Sequence, residues 1–196
     1  LEVLNILANA SATIAEGEVL QLTVSRDIST DEEIYLKVIR GKTAALFSAA
    51  TQVGAVISGS EETIINALYE YGDALGVAFQ IVDDLLDVAG DSKIIGKNNG
   101  DDFRERKLTL PFIKAISSCN QNEKDFWKRT IEKGDQASED FNTALELMQK
   151  YEAIERTRLD ALKWAKTAKN SLDAVPDNDI KVILTNLADY VVDRVK

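Results

Sequence analysis

Apolar residues recur at three- and four-residue steps along nearly the whole of this 196-residue chain, and no window alternates strictly between apolar and polar. That periodicity restricts the chain to amphipathic helices, because a strand needs period two. Only two prolines occur, Pro111 and Pro176, both at positions where a helix can begin. About eight helices are expected, at Leu1–Leu22 with a break near Gly17, Thr30–Ser58, Ser60–Val88, Thr109–Ser117, Glu123–Lys133, Ser138–Lys150, Ala153–Leu172 and Asp177–Val195. Thr30-Asp31-Glu32-Glu33 reads as a capping-box start. No linker, repeat or low-complexity tract divides the pattern, so residues 1–196 are expected to form one all-α domain, a bundle with a sizeable core.

Composition removes several function classes. A net charge of −10 argues against nucleic acid as a partner, since a phosphate-backbone binder needs a positive surface. With no histidine there is no Ser-His-Asp triad, no HExxH zinc site and no di-iron bundle built on Glu-x-x-His. The single cysteine, Cys119, permits no internal disulfide, fits a reducing, cytoplasmic setting, and lacks a histidine to activate it as a nucleophile. The most apolar stretch, Thr43–Ser58, is broken by Ser48, Thr51 and Gln52, so no transmembrane segment is expected. Nor does the N-terminus read as a signal peptide.

The chemistry concentrates in Phe79-Gln80-Ile81-Val82-Asp83-Asp84-Leu85-Leu86-Asp87. Leu75, Phe79, Val82 and Leu86 form one buried helical stripe, and three carboxylates interrupt it. Asp83 and Asp87 stand one turn apart, with roughly 5–6 Å between Cβ atoms. Asp84 lies about 100° around the helix, close enough to serve the same site through water or a second metal. With Gly90 as the expected helix stop, the acids sit at the negative end of the helix dipole. Such a cluster requires cations, and hard divalent metals with oxygen ligands fit it. The alternative is a solvated acidic edge on an amphipathic helix. Beyond it, a turn-rich stretch from Asp91 to Asp102 carries Lys97, and a basic cluster of Arg104, Arg106 and Lys107 precedes Thr109-Leu110-Pro111. Acids followed by lysines form the pattern expected of a metal-bridged diphosphate: carboxylates hold magnesium, magnesium holds phosphate oxygens, and lysines neutralise the rest.

Two earlier segments are further candidates. Gly17-Glu18-Val19-Leu20-Gln21-Leu22 sets an acid and an amide among apolar residues, although a capped helix end explains it equally well. Gly41-Lys42-Thr43 heads a small-residue stretch suited to close helix packing. It lacks the upstream glycine and strand of a P-loop, and a snorkelling lysine on a core helix is its plain alternative.

Taken in order, GEVLQL, GKTAALFSAA, FQIVDDLLD, GKNNGDD and KLTLP resemble the all-trans polyprenyl diphosphate synthases, and more narrowly the bacterial long-chain members that make octaprenyl to decaprenyl tails for quinones. The resemblance implies a bundle of long antiparallel helices around a deep central cavity, usually a homodimer. It implies a prenyltransferase that condenses isopentenyl diphosphate with an allylic diphosphate. Asp83, Asp84 and Asp87 match the second aspartate-rich motif, which holds Mg2+ against the allylic diphosphate, with Asp83 foremost. Lys42 and Thr43 match the pair at the diphosphate and the region of ionisation, Gln80 the glutamine near the reacting carbons, and Lys97 and Lys107 the lysines that grip the leaving diphosphate.

The chain departs from the family in one respect. The first aspartate-rich motif, its arginine pair and the isopentenyl-diphosphate residues before it have no counterpart, because no second DDxxD occurs. The sequence is therefore expected to be the C-terminal half to two-thirds of a synthase, either a fragment or a short natural subunit, and Leu1 starting inside a helix favours the fragment. The rival readings are a non-catalytic partner subunit of a heteromeric synthase, a class I terpene cyclase, and a helical interaction domain with no ligand.

Overall fold

The computed structural model describes residues 1–89 and 99–195. Among these residues there is no strand, in agreement with the all-α expectation. The helices are α1 (Glu2–Val24), α2 (Glu32–Ile39), α3 (Ala45–Ile57), α4 (Glu62–Ala89), α5 (Asp101–Arg104), α6 (Leu110–Ser118), α7 (Gln121–Trp127), α8 (Asp140–Lys150), α9 (Ala153–Ser171) and α10 (Asp179–Asp193). A π-turn, Arg40–Ala44, joins α2 to α3, and a second, Lys128–Glu132, extends α7.

Helix α4 is the axis of the molecule. Its 28 residues run roughly 42 Å at 1.5 Å per residue, and Tyr71, Leu75, Ala78, Ile81, Val82 and Leu85 are all buried. It packs between α3 and α9. The contact with α3 is close because the facing residues are small: a Cβ on Gly76 would meet the Ala44 Cα at 2.6 Å, and one on Gly72 would meet the Ser48 Cα at 2.6 Å. The small-residue stretch after Lys42 therefore packs as expected, with Ala44 and Ser48 buried against α4.

Local boundaries differ from the periodicity in three places, each with a physical reason. Helix α1 runs unbroken through Gly17, which is a close-approach residue: a Cβ there would lie 2.4 Å from the Lys42 backbone nitrogen. The segment from residue 30 to 58 is not one helix, because the π-turn at Arg40–Ala44 inserts a wider turn. Its N-cap is Asp31, whose side chain accepts from the Ile34 N–H at 2.9 Å, whereas the Thr30 hydroxyl donates to the Val24 carbonyl. By contrast, Asn120 and Glu123 complete a reciprocal capping box at the start of α7.

An aromatic cluster fixes the far side of the acidic motif. Phe103 of α5 lies 6.2 Å from Phe112, 6.4 Å from Trp127 and 5.8 Å from Phe141, ring centre to ring centre. Burial of Phe103 ties α5 to the core and so holds Asp101 and Asp102 beside the end of α4.

Candidate diphosphate site at the acidic end of helix α4

The three aspartates of the motif have three different surroundings. Asp83 is exposed. Asp84 is buried, and its oxygens accept 2.6 Å from the Tyr35 hydroxyl and 2.8 Å from the Gln80 amide. Asp87 is half-buried; its two oxygens accept the backbone N–H groups of Asp101 at 3.1 Å and Asp102 at 3.2 Å. The Gly100 N–H donates to the Asp87 carbonyl, closing the last turn of α4 onto α5.

Burial dominates the electrostatics. It pushes the Asp84 carboxyl up to about 8; the Tyr35 and Gln80 hydrogen bonds oppose the rise, and the negative charges of Asp102 and Asp83 add to it. Asp102 is pushed up to about 6 by burial and by the Asp87 charge, with Lys107 acting against them. Asp87 is raised as well, chiefly by desolvation, while the two backbone N–H groups hold it down. Ionising all of these carboxyls together is therefore disfavoured by burial and by their like charges.

Lys42, Gln80, Asp84 and Lys107 line one small cavity of about 30 Å3, together with Tyr35 and Gln21. The Thr43 hydroxyl donates to the Gln80 carbonyl oxygen at 2.8 Å. The π-turn after α2, helix α4 and the segment between α5 and α6 therefore bring together five of the residues singled out in the sequence. Lys97 lies outside the described residues, as does Gly90. The GEVLQL segment also reaches the site: Lys42 Nζ donates to the Gln21 side-chain carbonyl at 2.8 Å and stands 3.3 Å from Glu18. Lys107 pairs with Glu105 and stands 3.8 Å from Asp102. A larger cavity of about 1030 Å3, walled by Arg40, Asp73 and Trp164 among others, contains none of the expected site residues.

Three participants were not singled out as site residues. Gln21 was quoted only as part of a motif. Asp102 follows a turn-rich stretch of sequence that hides both its short helix α5 and its burial. Tyr35 looks like a core aromatic in sequence, although its place seven residues before Lys42, about two helical turns, was a signal. Cys119 is buried, and desolvation pushes its thiol up, which agrees with its reading as an inert residue.

Among the described residues no three acidic or other metal-ligating side chains converge into a ready cage. Magnesium does not require one. It is commonly held by one or two carboxylates together with substrate phosphates and water, so the exposed Asp83 and the half-buried Asp87, each of whose oxygens accepts one N–H and keeps a further lone pair, fit it.

The candidate site thus lies at the end of the axial helix of an all-helical bundle, where Lys42 and Lys107 line the same cavity as Asp84. The chain belongs to the polyprenyl synthetase family, whose model matches residues 1–148. It is 37% identical over 194 residues to the octaprenyl diphosphate synthase of Haemophilus influenzae, covering 99% of this chain and 59% of that protein. Its fold superposes on a decaprenyl diphosphate synthase from Rhodobacter capsulatus with TM-score 0.95 and 59% identity, over 100% of this chain and 60% of that one. A polyprenyl synthase from Caulobacter crescentus, complexed with calcium and isoprenyl diphosphate, gives TM-score 0.93 and 45% identity over 98% of this chain and 58% of that one. The chain thus spans about three fifths of the length of these relatives. No described helix is long and apolar enough to cross a membrane.

Proposed function

We propose that residues 1–196 form one helical domain that supplies the allylic-diphosphate half of a long-chain all-trans polyprenyl diphosphate synthase. The reaction would join isopentenyl diphosphate to an allylic diphosphate, giving linear products of the octaprenyl to decaprenyl class, suited to quinone side chains. The observation that carries this reading is the shared cavity: Lys42, Gln80, Asp84 and Lys107, distant in sequence, converge at the acidic end of α4. The calcium and isoprenyl diphosphate in the Caulobacter relative support a divalent ion and a diphosphate at such a site.

Asp83 and Asp87 would hold Mg2+, which would supply positive charge against the diphosphate. We do not assign Asp84 as a direct ligand, because it is buried against Tyr35 and Gln80, whereas Asp83 is exposed and Asp87 only half-buried. Lys42 and Lys107 stabilise negative charge as it grows on the leaving diphosphate, a preorganised electrostatic role. Lys42 is held on target by Gln21 and Glu18. Lys97 joins this grip by resemblance. Thr43 and Gln80 face the reacting carbons, and the apolar core behind them excludes water that would quench an allylic cation. A site without histidine leaves the departing diphosphate as the natural base for the final proton. Homodimer formation is part of the same reading, and the exposed Leu4, Val19 and Leu22 on α1 suit an apolar partner surface.

Incubation with magnesium, an allylic diphosphate and isopentenyl diphosphate, followed by mass spectrometry, tests the activity. Long linear products are expected from a complete catalyst. Cyclised products would replace this reading with that of a terpene cyclase.

A further inference from the structure

Four side chains form one continuous hydrogen-bonded chain across the site. The Tyr35 hydroxyl donates to Asp84 Oδ2 at 2.6 Å, the Gln80 amide donates to Asp84 Oδ1 at 2.8 Å, and the Thr43 hydroxyl donates to Gln80 Oε1 at 2.8 Å. The chain has a direction. The Gln80 amide N–H donates to Asp84 Oδ1, so Asp84 holds the nitrogen end of that amide inward. The Gln80 carbonyl is thereby left for Thr43. Thr43 in turn spends its only proton on Gln80, and its oxygen lone pairs remain available on the substrate side.

Tyr35 is the far anchor. It stands on α2 before the π-turn, is itself buried, and lines the same cavity as Lys42 and Lys107. Without its hydroxyl, one oxygen of a buried carboxylate has lost its donor. Asp84 can then rotate, and Gln80 can rotate with it.

We propose that Tyr35 is a positioning residue: through Asp84 it sets the orientation of the Gln80 amide and so presents the Thr43 hydroxyl to the allylic carbon as an acceptor. This rests on the synthase reading above, since the oriented groups matter only if an allylic diphosphate lies beside them. Tyr71 supplies the matching control. It is a buried tyrosine on α4 whose hydroxyl donates to the Leu184 carbonyl at 2.8 Å, with no link to the site.

The test is the nitrogen–proton spectrum of the Gln80 side-chain amide in the full chain, assigned by its loss in Gln80→Glu. In wild type a single pair of amide signals is expected. In Tyr35→Phe the pair should shift or split into two, whereas Tyr71→Phe should leave it in place while lowering the melting temperature to a similar degree. Where turnover is measurable, Tyr35→Phe should lower kcat by about tenfold to a hundredfold with KM nearly unchanged, as is usual for residues that orient a site from behind. An unmoved Gln80 pair in Tyr35→Phe, or an equal shift in Tyr71→Phe, would overturn the proposal. Should Tyr35→Phe fail to fold, Asp84→Asn decides it, because its amide offers one acceptor and one donor and must displace the Gln80 signals. Magnesium with inorganic diphosphate, added to wild type, tests the underlying reading separately: an unmoved pair there would contradict the site assignment, whatever Tyr35→Phe does.

Discussion

Two ionisable side chains are buried in this molecule on very different terms. Lys114 of α6 has both its partners in opposite charge, at 2.8 Å from Glu32 and 2.8 Å from Asp160, and so ties α2, α6 and α9 together. Asp84 of α4 has only neutral donors, Tyr35 and Gln80, and lies near the like charges of Asp83 and Asp102. The Lys114 cluster is closed; its charges are answered within the fold. The Asp84 region is open, with like charges gathered where the helix dipole already disfavours them. On the proposed function, the difference separates a structural ion cluster from a site suited to a cation.

The largest effect should come from the open side. Asp83→Ala or Asp87→Ala should weaken magnesium-dependent diphosphate binding at least about a hundredfold in calorimetry, in line with removal of a principal electrostatic group, while far-ultraviolet circular dichroism stays unchanged. Equal binding in these variants would erase the contrast with Lys114.

Next comes the closed side. Lys114→Ala should cost about 2 kcal/mol in urea unfolding, below the usual penalty for breaking a fully buried pair because Glu32 and Asp160 are partly solvated. Diphosphate affinity of the folded protein should be unchanged. Gly17→Ala tests the coupling between the two regions. The new Cβ would press on the backbone of Gly41 and Lys42, so a loss of about 1–3 kcal/mol is expected, with weaker diphosphate binding as Lys42 shifts.

The dependence on pH tests the open side again, without any substitution. Asp84 and Asp102 are raised to about 8 and about 6, so between an unfolded carboxyl value of about 4 and these values the folded state holds more protons than the unfolded one. Their contribution to stability is full below pH 4 and is lost as pH rises toward 8. Thermal melts without divalent ions should therefore fall across that range. Asp102→Asn should flatten the lower part of the slope, and magnesium should recover stability at pH 8. A stability that rises from pH 5 to pH 8 in metal-free buffer would contradict the electrostatic account.

Much of this was legible in the sequence. Periodicity set the helical class, and DDLLD with the lysines beyond it pointed to the candidate site, since short-range patterns carry both. What the sequence did not show was set by contacts distant along the chain. Gly17 looked like a helix break because its close approach to Lys42 is tertiary. The π-turn under Lys42 and Thr43 leaves no period of its own. Asp83, Asp84 and Asp87 read as one cluster, yet only the packing of α2 against α4 shows that Asp84 faces Tyr35 while Asp83 faces solvent. Tyr35 read as a core aromatic, with only its spacing from Lys42 to set it apart.

The central claim is that the acidic end of α4 holds a diphosphate through a divalent ion. Titration calorimetry of the chain with inorganic diphosphate, in magnesium and then in chelator, tests it most directly. Binding in magnesium that disappears in chelator is the predicted result. No binding in magnesium, or the same binding in both buffers, would contradict the account.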